Sequence, residues 1–342
     1  MKVVIAAGGT GGHIYPGIAV AEELKARDPK TEILFIGSYE GLERELVQRE
    51  GFEIKLIPAR ALLRKISYKS LSAPFIGLWG FLKALSILRS FNPNVVVVTG
   101  GYVSFPVIAA AKCLRIPVLL HEENVLPGFT NRFWAPWVKA VTLSFEESQK
   151  YLRGTVTGNP VRKRILSARR RTSSRPTLLV LGGSQGALSL NRAILDQINE
   201  LQAFEIVHVV GERDYKKLPL PHFPFYHSVP YMYNIEEGLA AADLVVSRAG
   251  ATAISEILAV GRPSILIPFP YSAERHQDLN ARAVRDAGAA VVLADAELDK
   301  LGSIIKNLMK DKKKLEQMGS AAQKLARPQA AARIVDLIYA IS

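Results

Sequence analysis

Four glycine-rich segments could hold phosphate groups with backbone nitrogen atoms. They read GGTGGH (8–13), TGGYVS (99–104), GGSQGA (182–187) and SRAGAT (247–252), and each directly follows a predicted strand. Glycine lets backbone N–H groups approach a ligand closely, and the start of a helix favours negative charge. A single segment of this kind is weak evidence, because tight strand-to-helix turns need glycine anyway. Four of them at strand ends predict recognition of a diphosphate.

Common phosphate and metal motifs do not account for these segments. The dinucleotide fingerprint is interrupted by Ile14, and Gly37 and Ser38 stand where an acidic residue would hold a ribose. The chain contains no P-loop, no D-x-D pair, no H-E-x-x-H and no C-x-x-C. The sequence therefore predicts a site that uses neither a metal nor a cofactor.

The last glycine segment leads into a second group of polar residues. Glu256 lies about a turn and a half into the helix that follows SRAG, where it could accept hydrogen bonds from ribose hydroxyls. Further along, PFPYSAERHQDLNA supplies His276, Gln277 and Asn280, whose side chains suit sugar hydroxyls. These residues predict that the C-terminal half binds a sugar and a nucleoside diphosphate.

Parallel strands and crossover helices must position these segments. Near-continuous apolar runs such as NVVVVTGG and TLLVLGGS alternate with longer helical patterns, and the two halves of the chain open alike. Such runs are typical of parallel sheets covered on both faces. The sequence predicts an α/β protein with two Rossmann-like, doubly wound parallel-sheet domains facing across a cleft. We expect domains at 1–158 and 159–327, and a closing helix at 328–342 that returns to the first domain.

The composition is that of a globular protein with a basic surface. The 342 residues are 49% hydrophobic and 22% charged, with a formal net charge of +13. A basic surface attracts nucleic acid, anionic lipid or acidic metabolites. No aromatic residues interleave the arginines between 162 and 175, which disfavours nucleic acid. The single cysteine, Cys113, favours a reducing compartment, and we expect neither a signal peptide nor an apolar span of ~20 residues.

The segment RKISYKSLSAPFIGLWGFLK (64–83) combines many apolar residues with flanking lysines. On a helical wheel its apolar stripe covers roughly half the circumference, more than a core-facing helix needs. The excess predicts docking on an anionic membrane surface, and the alternative is a thick core helix with ordinary surface lysines. The residues assigned to docking are Leu71, Phe75, Ile76, Trp79 and Phe81 with Lys65, Lys69 and Lys83. The stripe itself also includes Leu78, Leu82 and Leu85, and Phe81 and Leu88 widen it.

The order of the motifs resembles that of the MurG family of N-acetylglucosamine transferases. GGTGGHIYP, TGGYVSFP, HEENVLPG, TGNPVR, GGSQGA, SRAGATAISEI and ERHQDLNA occur in the family's order over nearly the whole chain. The resemblance implies a GT-B fold and transfer of GlcNAc from UDP-GlcNAc to undecaprenyl-pyrophosphoryl-MurNAc-pentapeptide (lipid I), which gives lipid II for peptidoglycan. It also implies a peripheral enzyme on the cytoplasmic face of the bacterial cell membrane, with other cell-wall synthesis proteins as further candidate partners.

The resemblance also implies which residues contact each substrate. For UDP-GlcNAc these are Thr10, Gly11, Gly12, Asn124, Arg162, Ser184, Gln185, Met232, Ala251, Thr252, Ala253, Ile254, Ser255, Glu256, His276, Gln277 and Asn280. For the acceptor pyrophosphate they are Gly9, Thr99, Gly100, Gly101, Tyr102 and Asn131. Glu123 and His276 stand where the family usually has glutamine. We expect Glu123 to point away from the diphosphate or to pair with a basic residue.

The implied reaction is one inverting displacement, in which the MurNAc C4 hydroxyl attacks the anomeric carbon and UDP leaves. His13 is the candidate general base, because it follows the first glycine segment and an imidazole titrates near neutral pH. Glu122 is the alternative base. Two other functions stay open: a GT-B enzyme that glycosylates a different membrane lipid, and a UDP-GlcNAc 2-epimerase, which needs no lipid acceptor.

Overall fold

The computed structural model describes residues 1–59, 73–171, 173–183 and 186–342. Its contacts divide the chain into two compact units. Unit 1 comprises Met1–Arg162 and Arg327–Ser342, and unit 2 comprises Lys163–Ala326. The boundary predicted after Gly158 therefore lies a few residues before the observed change of unit. The few residues concerned, Asn159–Arg162, belong to unit 1 together with the closing helix.

Unit 1 is built on a parallel sheet. Its strands are β1 (Lys2–Ala7), β2 (Glu32–Ser38), β3 (Glu53–Ile57), β4 (Val95–Gly100), β5 (Val118–Glu122), β6 (Ala140–Leu143) and β7 (Thr155–Val156). Its described helices are α1 (Gly11–Arg27), α2 (Glu43–Arg49), α3 (Ala73–Phe91), α4 (Ser104–Cys113), α5 (Phe129–Trp134) and α14 (Ala330–Ile341). The strand order is β3-β2-β1-β4-β5-β6-β7, and every pair of neighbouring strands is parallel.

Unit 2 repeats this plan with one strand fewer among the described residues. Its strands are β8 (Thr177–Leu181), β9 (Glu205–Val209), β10 (Tyr226–Val229), β11 (Leu244–Arg248), β12 (Ser264–Ile267) and β13 (Ala290–Val292). Its helices are α6 (Lys163–Leu166), α7 (Leu188–Asp196), α8 (Glu212–Tyr215), α9 (Ile235–Ala241), α10 (Ala251–Ala259), α11 (His276–Asp286), α12 (Leu301–Lys310) and α13 (Lys312–Leu325). The strand order is β10-β9-β8-β11-β12-β13.

Burial on both faces explains why the central strands are almost entirely apolar. Val95 to Val98 of β4 are fully buried, and alternate residues of β1, β2 and β4 join the helices in one core cluster. A strand covered by helices on both sides has no solvent-facing side, so the alternating pattern of a half-exposed strand is absent. The predicted fold class, two doubly wound parallel-sheet domains of the GT-B type, is confirmed.

The closing helix α14 packs on α1 of unit 1. Ile334, Val335 and Ile338 are buried. Arg27 at the end of α1 donates from Nη2 to the carbonyl oxygen of Ala332 at 3.0 Å and forms an ion pair with Asp336. The closing helix thus packs on the first domain, as expected from the sequence.

Both strand orders reverse direction beside the first strand of the unit. In unit 1 the sheet continues one way from β1 to β2 and the other way to β4, and in unit 2 the same holds for β8, β9 and β11. Loops leaving adjacent strands at such a point diverge and open a crevice at the carboxyl ends of the strands, where ligands bind in this class of fold. The four glycine segments follow β1, β4, β8 and β11, and therefore lie at the two switch points.

Candidate active site

The first two glycine segments pack against each other in unit 1. A Cβ atom on Gly101, whose φ is +85°, would lie 2.0 Å from the carbonyl oxygen of Gly8. A Cβ atom on Gly100, whose φ is +118°, would lie 2.5 Å from Nδ1 of His13. Both glycines are therefore required by a close approach and by a left-handed backbone. The contact brings the end of β4 against the first turn of α1.

A buried carboxylate supports the first glycine segment. Glu43 at the start of α2 is fully buried, and its Oε1 accepts hydrogen bonds from the Gly9 N–H at 2.7 Å and from the Ser38 hydroxyl at 2.8 Å. The backbone N–H of Gly9 is thus already used. The assignment of Gly9 to the acceptor pyrophosphate stays a prediction, and its N–H is bonded within the unit. Tyr102 lies against Gly9, with its ring 3.3 Å from the position that a Cβ would take.

His13 is held by two acceptors from different strands. Its Nδ1 lies 3.2 Å from the carbonyl oxygen of Thr99 and 3.1 Å from Oε2 of Glu123. The side chain of Glu123 is 5% exposed and that of His13 is 32% exposed. The hydroxyl of Thr99 donates to the main-chain oxygen of His13 at 2.7 Å. The second of the two expectations for Glu123, pairing with a basic residue, is met.

The electrostatics of this pair favour a protonated imidazole. Burial by itself would lower the pKa of His13, but the charge of Glu123 and its hydrogen bond, followed by the charge of Glu122 and the carbonyl of Thr99, raise that pKa to about 9. Burial raises the pKa of the Glu123 carboxyl, and the charge of His13 opposes this shift. At neutral pH only about 1% of such an imidazole is neutral, so His13 is mainly a cation.

Glu122, the alternative base, is tied into the segment that follows β5. It is buried, and its Oε1 accepts from the Asn124 N–H at 2.8 Å, while its Oε2 accepts from the Gly128 N–H at 3.1 Å and from Nδ2 of Asn131 at 2.7 Å. These bonds shape the turn that carries Asn124 and Asn131. Such a carboxylate serves as a structural acceptor, and the geometry gives the alternative base no support.

A second buried histidine lies behind the pair. His121 on β5 bonds through Nδ1 to the hydroxyl of Thr142 at 2.9 Å and through Nε2 to Oδ1 of Asn159 at 3.0 Å. Burial lowers its pKa to about 4. Sequence inspection missed His121 and Glu43 as parts of this site, since their partners are distant in the sequence.

In unit 2 the fourth glycine segment opens α10. Gly250 caps this helix, and the N–H of Ile254 donates to the carbonyl oxygen of Gly250 at 2.9 Å. The side chain of Ile254 is buried at 1% exposure. The Ile254 side chain is therefore part of the core, and its contact with UDP-GlcNAc stays a prediction. The N–H groups of the preceding turn, Ala251 to Ala253, come before the helical hydrogen-bond ladder begins.

The other residues of unit 2 that were predicted to contact UDP-GlcNAc differ in accessibility. Asn280 is fully buried, and its Nδ2 donates to the carbonyl oxygen of Ala249 at 3.3 Å, while its contact with sugar hydroxyls stays a prediction. Gln277 is half-buried, and its Oε1 accepts from the N–H of Phe269 at 2.9 Å. Glu256 is buried at 8% exposure. Half-buried positions are held by Met232, Ala253, Ser255 and His276, while Ala251 and Thr252 are buried.

The other predicted UDP-GlcNAc contacts lie in three separate parts of the chain. Ser184 and Gln185 lie outside the described residues. Arg162 is 1% exposed, and its guanidinium stacks 3.7 Å from the centre of the Tyr15 ring on α1. The contact of Arg162 with the nucleotide stays a prediction. Thr10 is exposed, Gly11 is buried and Gly12 is half-buried in the first segment.

Helix α3 carries an exposed apolar face, which we call the α3 face. Its members are Phe75, Leu78, Trp79 and Leu82, which are 76%, 57%, 65% and 49% exposed. Phe81 and Leu85, in contrast, pack against the core beside buried Ala84 and Leu88. Phe81, which was assigned to the docking surface, is half-buried and packs on the side of the helix that faces the core, so it is not part of the α3 face.

The other residues predicted for docking have different surroundings. Ile76 is half-buried. Lys83 donates a hydrogen bond to the Tyr39 hydroxyl and lies 5.0 Å from the centre of the Tyr39 ring. Lys65, Lys69 and Leu71 lie outside the described residues.

Within the described part of the chain, none of the helices has the length and apolar character that crossing a membrane requires. No three or more histidine, cysteine, aspartate or glutamate side chains gather there in an arrangement that could hold a metal ion.

Comparison with known proteins matches both units. Residues 3–143 fit the N-terminal domain of glycosyltransferase family 28, and residues 177–334 fit its C-terminal domain. The chain is 40% identical to the UDP-N-acetylglucosamine–N-acetylmuramyl-(pentapeptide) pyrophosphoryl-undecaprenol N-acetylglucosamine transferase of Desulforamulus reducens, over 100% of this chain and 99% of the relative.

Solved structures show the same similarity. The crystal structure of Acinetobacter baumannii MurG superposes with a TM-score of 0.76 at 28% identity, covering 99% of each chain. The UDP-GlcNAc 2-epimerase of Neisseria meningitidis, bound to UDP-GlcNAc, superposes with a TM-score of 0.70 at 17% identity over 99% of this chain and 100% of its own. The second similarity concerns the fold alone.

Proposed function

The chain belongs to glycosyltransferase family 28 and, within it, to the MurG transferases, and on this premise we propose that it transfers GlcNAc from UDP-GlcNAc to lipid I. The observation that carries the proposal is the 40% identity over the whole length of a relative named for this reaction. Both units are therefore included in the similarity, and not only the nucleotide-binding half. The product is lipid II, the building block of peptidoglycan.

The donor occupies the switch point of unit 2. The diphosphate of UDP lies at the start of α10, where backbone N–H groups and the helix dipole stabilise the negative charge that develops as UDP leaves. Glu256, one turn further along, accepts hydrogen bonds from the ribose, and Gln277 and His276 contact the sugar. Support for this arrangement comes from the N-cap at Gly250 and from the half-buried positions of Gln277 and His276.

The acceptor occupies the switch point of unit 1. Its pyrophosphate lies at the second glycine segment, near Gly100, Gly101 and Tyr102. The imidazole of His13 lies beside this segment. Because the Gly9 N–H is bonded to Glu43, the first segment contributes through His13 rather than through that amide.

The reaction is a single displacement with inversion. The MurNAc C4 oxygen forms a bond to the anomeric carbon of GlcNAc, the bond from that carbon to the UDP oxygen breaks, and the hydroxyl proton passes to Nε2 of His13. Only the neutral form of His13 accepts this proton. With a pKa of about 9, the neutral form increases as the pH rises, so the transfer rate rises from pH 7 to pH 9.

A transfer assay tests this function. The purified protein is incubated with labelled UDP-GlcNAc and either lipid I in detergent, diacylglycerol, or no acceptor, each with and without EDTA. We expect a labelled lipid product with lipid I only, at an equal rate in EDTA. Transfer to diacylglycerol would favour another lipid glycosyltransferase. Release of 2-epimerised sugar without acceptor would favour the epimerase, and loss of activity in EDTA would contradict a metal-free site.

The α3 face is proposed to dock on the cytoplasmic surface of the cell membrane. The acceptor carries a long lipid that stays in the bilayer, so the enzyme must approach it. Four large apolar side chains exposed on one helix face suit insertion at the level of the lipid headgroups, and the net charge of +13 suits anionic lipid.

Vesicle sedimentation tests this docking. We expect the double variant Phe75→Ser with Trp79→Ser to bind anionic vesicles at least tenfold more weakly, since burial of each aromatic side chain contributes about 1.5–3 kcal/mol. Tyr151→Ser is the matched control, because Tyr151 is 47% exposed and lies elsewhere in unit 1. Equal binding by the double variant and the control would contradict the proposal.

A further inference from the structure

Glu123 is a buried carboxylate whose described partner is the imidazole of His13. It lies directly after β5 and is 4% exposed, with Oε2 at 3.1 Å from Nδ1 of His13. Its other oxygen, Oε1, is buried, and no residue of the described part of the chain hydrogen-bonds to it. Burying a carboxylate is costly unless a positive charge compensates for it. Packing alone would favour a neutral side chain at this position, so a structural role does not account for the Glu123 carboxylate.

The contacts of His13 indicate which ring nitrogen carries a proton and which one can accept a proton. Nδ1 faces two acceptors, the carbonyl oxygen of Thr99 at 3.2 Å and the carboxylate of Glu123, so Nδ1 carries a proton. No described residue forms a hydrogen bond with Nε2. The ring is held from the end of β4 and the end of β5, and the absence of a side chain on Gly100 leaves space for it.

We propose that Glu123 is a positioning residue that acts through His13. It holds the imidazole with Nδ1 protonated, so that Nε2 is the nitrogen that accepts the proton of the acceptor hydroxyl. It also sets the pH range in which the transfer proceeds. The inference about the rate rests on the proposed function, while the inference about the charge and tautomer of His13 does not.

The proton balance of this arrangement is complete. In the neutral state His13 carries one proton on Nδ1, bonded to the Glu123 carboxylate. When the hydroxyl proton moves to Nε2, the ring becomes an imidazolium beside a carboxylate, and the pair has no net charge. After the product leaves, Nε2 returns its proton to water. Glu123 gains and loses no proton in the cycle.

The other ionisable groups around the ring support this assignment. Glu122 on β5 adds a second negative charge, and its effect on the pKa of His13 has the same sign as that of Glu123. His121, also on β5, stays neutral because burial lowers its pKa to about 4. The end of β4 contributes the uncharged carbonyl of Thr99. The carboxylates therefore determine the charge of His13.

The experiment compares the wild-type protein with Glu123→Gln, which keeps the shape and removes the charge. The titration of His13 is followed by NMR without substrate, and kcat/KM is measured between pH 6 and pH 10. For the wild type we expect an NMR midpoint near 9 and roughly a 50-fold rise in rate from pH 7 to pH 9. For Glu123→Gln we expect both midpoints to fall by about one to two pH units.

Three further variants make the result decisive. Glu123→Asp should keep a raised midpoint, and Glu53→Gln, which removes an exposed carboxylate on β3, should leave both midpoints unchanged. In a His13→Ala background, Glu123→Gln should change neither the rate nor its pH dependence. An unchanged NMR midpoint in Glu123→Gln, or the same change in the pH–rate profile with and without His13, would overturn the proposal. If lipid I is not a substrate, the NMR midpoints still decide the role of Glu123 toward His13.

Discussion

Replacing Glu122 by glutamine separates its structural role from a role as the base. In the wild type, three strong hydrogen bonds converge on this buried carboxylate from the Asn124 N–H, the Gly128 N–H and the Asn131 amide. A glutamine has one accepting oxygen, so its NH2 group must face at least one N–H donor. The less costly orientation directs the NH2 group at the Asn124 N–H. The glutamine oxygen then still accepts from the Gly128 N–H and from the Asn131 amide.

The magnitude follows from the bonds that are lost. A hydrogen bond to a charged group contributes about 1.5–3 kcal/mol, and the two remaining bonds weaken when the acceptor loses its charge. Burying a neutral amide costs less than burying a carboxylate, which offsets part of the loss. We expect Glu122→Gln to lower the free energy of unfolding by about 2–3 kcal/mol, which corresponds to a fall of roughly 5–10 °C in Tm for a unit of this size.

The assay combines thermal unfolding with kcat for transfer to lipid I. A structural Glu122 predicts the fall in Tm together with a loss of less than about tenfold in kcat measured well below the new Tm. Loss of a general base instead predicts a fall in kcat of roughly 10²–10⁴. Glu53→Gln is the control and should change stability by no more than about 0.5 kcal/mol. A large loss of kcat with an unchanged Tm would refute the reasoning and return Glu122 to the place of the base.

Other perturbations test the packing of the site. Gly101→Ala should destabilise the protein by at least about 2 kcal/mol in thermal unfolding, because its Cβ would lie 2.0 Å from a carbonyl oxygen. Gly288→Ala is the control, since Gly288 has a similar φ but open space around it, and it should cost about 1 kcal/mol. Equal costs for the two variants would contradict the packing argument. Glu43→Ala should lower Tm and raise KM for lipid I more than KM for UDP-GlcNAc, because it frees the first glycine segment in unit 1, and an equal rise in both constants would count against this. Burial lowers the pKa of His121 and of His208 to about 4, below the unfolded value of 6.5. The stability that depends on their neutral form is therefore complete above pH 6.5 and is lost as the pH falls toward 4. Urea unfolding between pH 4 and pH 7 should show a loss of up to about 3 kcal/mol per histidine, and a flat profile would contradict this prediction.

The α3 face shows how far a helical pattern predicts exposure. The sequence indicated that the apolar stripe is wider than a core-facing helix needs, and four side chains of that stripe are indeed exposed. The pattern did not show which edge of the stripe faces the sheet. Phe81 and Leu85 were assigned to the wider stripe but pack against the core. Periodicity gives the angle between side chains on the helix, and only packing decides the rotation of the helix on the sheet.

The sequence alone determined the fold class, the two-domain plan and the position of the glycine segments at strand ends. These features depend on local patterns, namely apolar runs, glycine turns and helical periodicity, which the chain carries within a few neighbouring residues. The tertiary structure decided which polar groups meet: Glu43 with Gly9, His13 with Thr99 and Glu123, and Asn280 with Ala249. Such partners are far apart in the chain, and their hydrogen bonds and charges exist only once the strands are side by side. For that reason the sequence alone placed the glycine segments at strand ends, while the fold decided which groups are buried, which are hydrogen-bonded and which carboxylates surround His13.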